Sequence, residues 1–325
     1  MSNQLSQPSE PQTFDLAEVE SAIATTLFRG HLHHLASTSS TNEVALKAAL
    51  AGTRTGVWIA DRQIAGRGRG GHTWHSPAGA GLYMTALIAP AIPMQSALGL
   101  SLRVALAVQS AIASTFGFRI PDQIDIRWPN DLMLNGKKCG GILIDTASNP
   151  ATATRTATLR YAIIGIGINL SQTAFPAELD PIATSIRREL PGPASSHAES
   201  FTRSVENSTK CRSVENSTKC RSVEDSTKCR SVESSTKCRE PLAAAILIAL
   251  DTEIRALTTN NLQPATDNLS LYSSWITGKR VRVEARDGVP GYTGTTAGLN
   301  PNGFLLVAGD DGQIHTVLSG GLREP

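Results

Sequence analysis

Residues 61–74, Asp61-Arg62-Gln63-Ile64-Ala65-Gly66-Arg67-Gly68-Arg69-Gly70-Gly71-His72-Thr73-Trp74, set the tightest limit on how this chain can fold. They follow an apolar run, Gly56-Val57-Trp58-Ile59-Ala60, that reads as a strand. Regular structure must stop there, because four glycines interleave with two arginines. Glycine reaches positive φ and brings backbone N–H groups close to a ligand, while arginine adds fixed cationic forks suited to phosphate or carboxylate. A strand end feeding such a loop is a plausible anion clamp. It has neither the Gly-x-x-x-x-Gly-Lys-Ser/Thr order nor a Gly-x-Gly-x-x-Gly strand–helix context. A plain flexible loop, an enzyme loop wrapping a triphosphate and an RNA-gripping Arg-Gly segment all fit the local composition. The whole-chain charge of only +2 over 325 residues disfavours the nucleic-acid reading.

A chain of this length holds two domains, or one large domain with an appendage. Hydrophobic residues at 40% supply a sizeable core, and no apolar run reaches the roughly 20 residues that span a bilayer, so no membrane partner is expected. Residues 1–13 are Ser/Gln/Pro-rich without a signal-peptide pattern and are expected to be a disordered tail. Five cysteines, four of them inside a repeat, do not make a disulfide framework, and a reducing cytoplasm is the expected location.

Helical spacing runs through 14–28. Ser40 and Glu43 have capping-box spacing, which predicts a helix from there to about Leu50, with Gly52 just past its end. Residues 81–89 read as a buried strand and 94–118 as one long buried helix. Alternation over 124–128 predicts a strand that Pro129 ends, leaving Asn130 and Asp131 in a kink. Asn135-Gly136 predicts a hairpin whose return strand starts at Lys137 and runs through Asp145. Residues 161–169 read as another interior strand, with Gly165 and Gly167 marking tight packing on its backbone. An apolar stripe, Leu242, Ile246, Leu250, Ile254 and Leu257, predicts a helix opening near Pro241. From Gly278 onward short alternating strands are punctuated by turn pairs, the pattern of a small β-barrel.

Residues 203–238 are tandem copies of Arg-Ser-Val-Glu-x-Ser-Thr-Lys-Cys. The period fits neither helix nor strand, and each copy is too polar to bury a core. The cysteine spacing is not that of a zinc site. The segment is expected to be a disordered insert.

Five motifs in order carry a resemblance: Ser40-Thr41-Asn42; Gln63-x-Ala65-Gly66-Arg67-Gly68-Arg69; Trp128-Pro129-Asn130-Asp131; Lys138-Cys139-Gly140-Gly141-Ile142-Leu143; and Gly165-Ile166-Gly167-Ile168-Asn169. Together with the small C-terminal barrel they resemble the biotin protein ligase family over about 37–325, the repeat excluded. The resemblance implies an α+β fold, with a mixed sheet flanked by helices of the class II aminoacyl-tRNA synthetase-like type and an SH3-like C-terminal domain. It implies a catalytic domain over 14–276 and a C-terminal domain over 277–325.

The resemblance also implies chemistry. Biotin carboxylate attacks the α-phosphorus of Mg-ATP, and the lysine of a biotin carboxyl carrier domain then attacks the resulting biotinyl-5'-AMP. Holding two anions in contact requires cations and N–H donors rather than covalent help. Lys138, Arg67 and Arg69 are the implied catalytic residues. Biotin would be bound by Ser40, Thr41, Asn42, Gln63, Gly66, Gly68, Gly140 and Gly141, together with those three. ATP would meet Arg69, Arg127, Asn130, Asp131, Lys138, Asn169 and Arg323, with Asp131 helping to place Mg²⁺. Trp74 would pack on biotin or on the closed loop, which is expected to be mobile when empty.

Arg127 stands where many relatives carry Lys, which keeps the charge but changes its geometry; His72 stands where some carry Arg, from which a loop that holds the intermediate less tightly is expected. The residues before Ser40 are too few for a winged-helix domain, so no DNA partner is expected; the resemblance allows a homodimer. Two other readings stay open. A lipoate or octanoate ligase or transferase shares the fold, although the Gly-Arg loop and the C-terminal barrel favour biotin. A non-catalytic RNA binder would interleave aromatics among its basic residues, and aromatics are only 5% of this chain.

Overall fold

The structure, a computed structural model, describes residues 14–325 except 98, 153–155, 191–237, 260–270, 286–289, 301–302 and 318–320. The tail at 1–13 and all of the repeat except Cys238 therefore lie outside the described residues.

The larger unit is a mixed seven-stranded sheet. In chain order its strands are β1 (Leu32–Leu35), β2 (Gly56–Ala60), β3 (Gly81–Ile88), β4 (Ile124–Arg127), β5 (Asp131–Leu134), β6 (Lys137–Asn149) and β7 (Thr158–Asn169). They are arranged β1-β2-β3-β7-β6-β5-β4, with β1 and β2 parallel and the remaining neighbours antiparallel. The Asn135–Gly136 hairpin joins β5 to β6 with both residues at positive φ, +48° and +82°, as that dipeptide demands.

Side-chain alternation divides the sheet into two working faces. On β7, Ile164, Ile166 and Ile168 enter the main core, while Gly165, Gly167 and Asn169 take the opposite face. On β3, Leu82, Met84 and Ala86 enter that core, while Thr85 turns the other way toward Thr41 and Asn42. The core face is covered by α1 (Leu16–Ala22), α4 (Leu100–Phe116) and α6 (Arg239–Thr258). The opposite face carries α2 (Thr41–Leu50), whose Ala45 and Ala49 pack on Trp58, Leu87 and Ile163.

Three expectations need correction. The helical spacing of 14–28 yields only α1, followed by turns. The expected 94–118 helix is divided into α3 (Met94–Ala97) and α4, with Gly99 as the N-cap of α4. Asp131 is not in a kink but opens β5, paired across the ladder with Arg127. The short α5 (Ile186–Glu189) follows β7.

The second unit is an antiparallel sheet of β8 (Thr277–Val283), β9 (Tyr292–Leu299), β10 (Leu305–Gly309), β11 (Ile314–Val317) and β12 (Leu322–Arg323), arranged β11-β10-β9-β8-β12. It has its own core of Val281, Val283, Leu305, Val307, Val317 and Leu322, into which Trp128 of the larger unit inserts. The Trp128 indole N–H also donates to the Gly303 carbonyl at 3.4 Å. No helix among the described residues is long and apolar enough to cross a membrane. Cys139 is a free buried thiol, whereas Cys238 is disulfide-bonded.

Candidate active site

A single cleft of about 950 Å³ lies on the α2 face of the sheet, and nearly every residue singled out from the sequence lines it. Its floor is the pair of glycines on β7, together with Gly141 on β6. A Cβ at Gly165 would collide with the Asn42 carboxamide, and one at Gly167 would come within 2.5 Å of the Trp74 indole nitrogen. The floor is therefore backbone, approached closely by two side chains.

One end of the cleft is a hydrogen-bonded frame. The Gln63 carboxamide oxygen accepts from the Thr41 backbone N–H (2.9 Å) and hydroxyl (3.1 Å), while its nitrogen donates to Ser76 Oγ (3.1 Å). Ser76 in turn donates to the Trp74 carbonyl (3.1 Å). The Thr85 hydroxyl lies 2.7 Å from Thr41 Oγ1 and 2.6 Å from Asn42 Oδ1. Thr41 and Gln63 thus belong to the frame, although the second N–H of the Gln63 carboxamide makes no bond within it. Three groups remain open. The Ser40 side chain makes no capping bond, although it is only 2% exposed. Asn42 Nδ2 is buried without a hydrogen-bond partner, and so is Trp74 Nε1. Buried donors left unpaired are costly, and these two face a cavity. The expected capping box does not form: Ser40 is the N-cap without a side-chain cap bond, and the Glu43 carboxylate instead accepts from the Ser39 hydroxyl at 2.6 Å.

The glycine–arginine loop forms a small hairpin. Arg67 bridges to Thr73, the Gly68 N–H donates to the His72 carbonyl (2.7 Å), and the Trp74 N–H donates to the Gly66 carbonyl (2.8 Å). Its turn requires glycine at Gly70 and Gly71, where φ is +69° and +81°. Arg67 is exposed at the cleft and Arg69 half-buried within it. Trp74 lies over the floor, with the Lys138 ammonium 5.5 Å from its ring centroid.

The other end is cationic. Each oxygen of the Asp131 carboxylate faces one cation: Oδ1 meets Lys138 Nζ at 2.5 Å, and Oδ2 meets the Arg127 guanidinium at 2.6 and 3.1 Å. Burial alone would raise the Asp131 pKa, but the Lys138 and Arg127 charges and their hydrogen bonds outweigh it and hold the carboxyl below its ordinary range. Arg323 reaches the rim from β12, paired with Glu284 at 2.9 Å.

Several assignments change on this geometry. Gly140 does not face the cleft: a Cβ there would meet Ile168 and Leu132 on the core side. The register of β6 against β5 shifts between Leu132 and Met133, which turns Cys139 and Gly140 inward and leaves Lys138 and Gly141 on the cleft face. Cys139 is no nucleophile, since burial pushes its thiol up to about 12. Asn130 and Asn169 line the cleft but brace its walls: Asn130 donates to the Ile142 carbonyl at 2.7 Å, and Asn169 donates to the Thr184 carbonyl at 3.0 Å while accepting from Gln172. Asp131 does not fit a metal ligand, because both its oxygens are engaged by cations. The described residues also hold no cluster of His, Cys, Asp or Glu that could bind a metal.

Sequence reading missed Ser76 and Thr85, whose only signal is that they are polar residues beside or within apolar strands. It also missed the wall formed by Phe175, Leu179 and Ile182, which runs beside Lys138. The Lys138 N–H donates to the Ile182 carbonyl and the Lys138 carbonyl accepts from the Thr184 N–H, both at 2.9 Å.

Residues 35–169 match the family described as Biotin/lipoate A/B protein ligase, and 276–320 match the Biotin protein ligase C terminal domain. A bifunctional ligase/repressor BirA of Bacillus subtilis is 37% identical over 180 residues, 54% of this chain and 52% of the relative. A biotin–[acetyl-CoA-carboxylase] ligase of Paracoccus denitrificans is 37% identical over 152 residues, 46% of this chain and 59% of the relative. The chain spans about half the length of these relatives. Among solved structures, a biotin protein ligase from Aquifex aeolicus in complex with biotin and ATP superposes with a TM-score of 0.61 at 21% identity, covering 91% of this chain and 100% of that one. That likeness establishes a shared fold.

Proposed function

We propose that the chain, whose residues 35–169 match the biotin/lipoate A/B protein ligase family and 276–320 the biotin protein ligase C-terminal domain, is an ATP-dependent biotin ligase. It activates biotin as biotinyl-5'-AMP and passes the acyl group to a lysine of a biotin carboxyl carrier domain. The observation that carries this reading is the polarity of one cleft: the unpartnered Asn42 amide donor at one end, Lys138 and Arg127 at the other. A ligand with a neutral, hydrogen-bonding head and a carboxylate tail fits that gradient.

In this reading Asn42 Nδ2 and the Ser40 hydroxyl serve the ureido head, and the frame through Thr41 and Gln63 holds them in place. The apolar ring system lies over Gly165 and Gly167 beside Trp74. Gly66 and Gly68 let the loop backbone close on the ligand, and Gly141 leaves room for the carboxylate beside Lys138. Arg67 and Arg69 neutralise the carboxylate and the α-phosphate as they approach. Arg127, Arg323 and the Asn130 and Asn169 braces border the nucleotide.

A carboxylate oxygen bonds to the α-phosphorus as the bond to the bridging oxygen breaks, and pyrophosphate leaves. Lys138, held by Asp131 through one N–H, turns its others to the reacting anions and stabilises the charge that builds on them. The acceptor amine then attacks the acyl carbon, loses a proton, and AMP departs. Mg²⁺ enters with the nucleotide as Mg-ATP. The catalytic domain is assigned to 14–276 and the C-terminal domain to 277–325. A cytoplasmic location and a homodimer belong to this reading as well.

The test is pyrophosphate release from ATP with biotin or lipoate as the acid, followed by transfer to a carrier domain. Release with biotin alone is expected; release with lipoate and none with biotin would overturn the substrate assignment.

A further inference from the structure

The linker between the two units is stitched to the edge strand β4. The Gln109 carboxamide nitrogen donates to the carbonyls of Ile124 (2.9 Å) and Tyr272 (2.8 Å), bridging strand and linker. Ser273 Oγ donates to the Ile126 carbonyl at 2.6 Å and accepts from the Trp275 N–H at 3.2 Å. Ser274 donates through both its N–H and its hydroxyl to Asp125, at 3.1 and 2.5 Å. These bonds fix one side chain: Trp275, 6% exposed and part of the C-terminal core.

Strand alternation explains what Trp275 meets. Ile124 and Ile126 point into the main core, so Asp125 and Arg127 share the face toward the linker. Asp125 takes Ser274, and the Arg127 guanidinium lies over the Trp275 ring, 5.7 Å from its centroid. Lys279 Nζ also lies against this ring, 4.9 Å from its centroid. Arg127 is then held between an aromatic face and the Asp131 carboxylate, whose other oxygen holds Lys138. A planar guanidinium pinned in this way leaves Asp131, and through it the Lys138 ammonium, little freedom to wander.

We propose that Trp275 is a positioning residue for the adenylation step. By stacking on Arg127 it aligns the Arg127–Asp131–Lys138 chain, so that seating of the C-terminal sheet sets the placement of the reacting ammonium. The adenylation role rests on the ligase reading given above; the alignment of the three charges does not.

The experiment pairs kinetics with a carboxyl NMR titration of Asp131 in the full chain. Trp275→Leu should lower kcat for pyrophosphate release roughly tenfold to hundredfold, the scale of a small misplacement of catalytic groups, with the biotin KM little changed. The Asp131 carboxyl should titrate at higher pH than in the wild type, because Arg127 is no longer pinned against it. Trp275→Phe, which keeps an aromatic face, should recover most of both. If Trp275→Leu fails to fold, Trp275→Met, apolar and adaptable but without a ring face, is read in its place. An unchanged kcat, or a lowered kcat with the Asp131 titration unmoved, would overturn the proposal. A wild-type chain that releases no pyrophosphate would instead remove the ligase reading and the adenylation role with it, while a shifted Asp131 titration in that chain would leave the alignment standing.

Discussion

Lys138 is where charge, geometry and exposure meet. Its side chain is 30% exposed and its one ion pair is with Asp131, so Lys138→Ala should leave the fold standing. Pyrophosphate release should nonetheless fall by roughly 10²–10³-fold, the usual cost of deleting a group aimed at developing charge; single-turnover release measures it directly. Asp131 gives a second outcome, with a definite sign. Its folded pKa lies below the ordinary carboxylate value of about 3.9, so the stabilisation is complete above that value and lost as pH falls through the folded one. Urea midpoints measured from pH 6 to pH 3 should drop more steeply in the wild type than in Asp131→Asn. Parallel slopes would show that the pair does not stabilise the folded state.

Among the elements, β7 carries most of the cleft. Its Gly-Ile-Gly-Ile-Asn run gives isoleucines to the core and bare backbone to the ligand face. Gly165→Ala would press on the Asn42 carboxamide and Gly167→Ala on the Trp74 indole. Each change should cost roughly 1–3 kcal/mol of stability as an overpacked site and raise the biotin KM, readable by thermal melts and initial rates. Much of this was visible in the residues alone, because glycine at every second position of an apolar strand has few other meanings. The Asn135–Gly136 hairpin and the return strand were legible for the same reason: local chemistry dictates them. The inward turn of Gly140 was not legible, since it depends on a register shift between two strands rather than on either one. Nor was the use of Ser39 in place of Ser40 as the partner of Glu43. Both serines suit a helix start, and only the tertiary fold decides which one faces the cleft. The break between α3 and α4 escaped a periodicity argument because Gly99 interrupts the helix without interrupting the apolar spacing.

For the whole molecule, the decisive contact is the one between units. Trp128 leaves the catalytic sheet to fill the C-terminal core, and β12 returns Arg323 to the cleft rim. Motif order in the sequence pointed to both units, but not to the way the second braces the charges of the first. The insert interrupts the chain just before α6, whose first turn is also held by contacts outside the insert. Arg239 pairs with Asp61 at 2.6 Å, and Glu240 accepts from the Asp15 N–H at 3.1 Å. Excising 203–237, which leaves Cys238 as a free thiol, should still preserve folding and ligation because of these contacts, as judged by melting temperature and carrier biotinylation; loss of soluble protein would assign the repeats a structural role. The central claim is that Lys138, placed by Asp131, brings a carboxylate and a phosphate together, and a crystal structure with a non-hydrolysable biotinyl-5'-AMP analogue tests it most directly. The account predicts the acyl–phosphate linkage within about 3 Å of Lys138 Nζ, the ureido head on Asn42 and Arg67 turned onto the ligand. An analogue lodged away from Lys138 would contradict it.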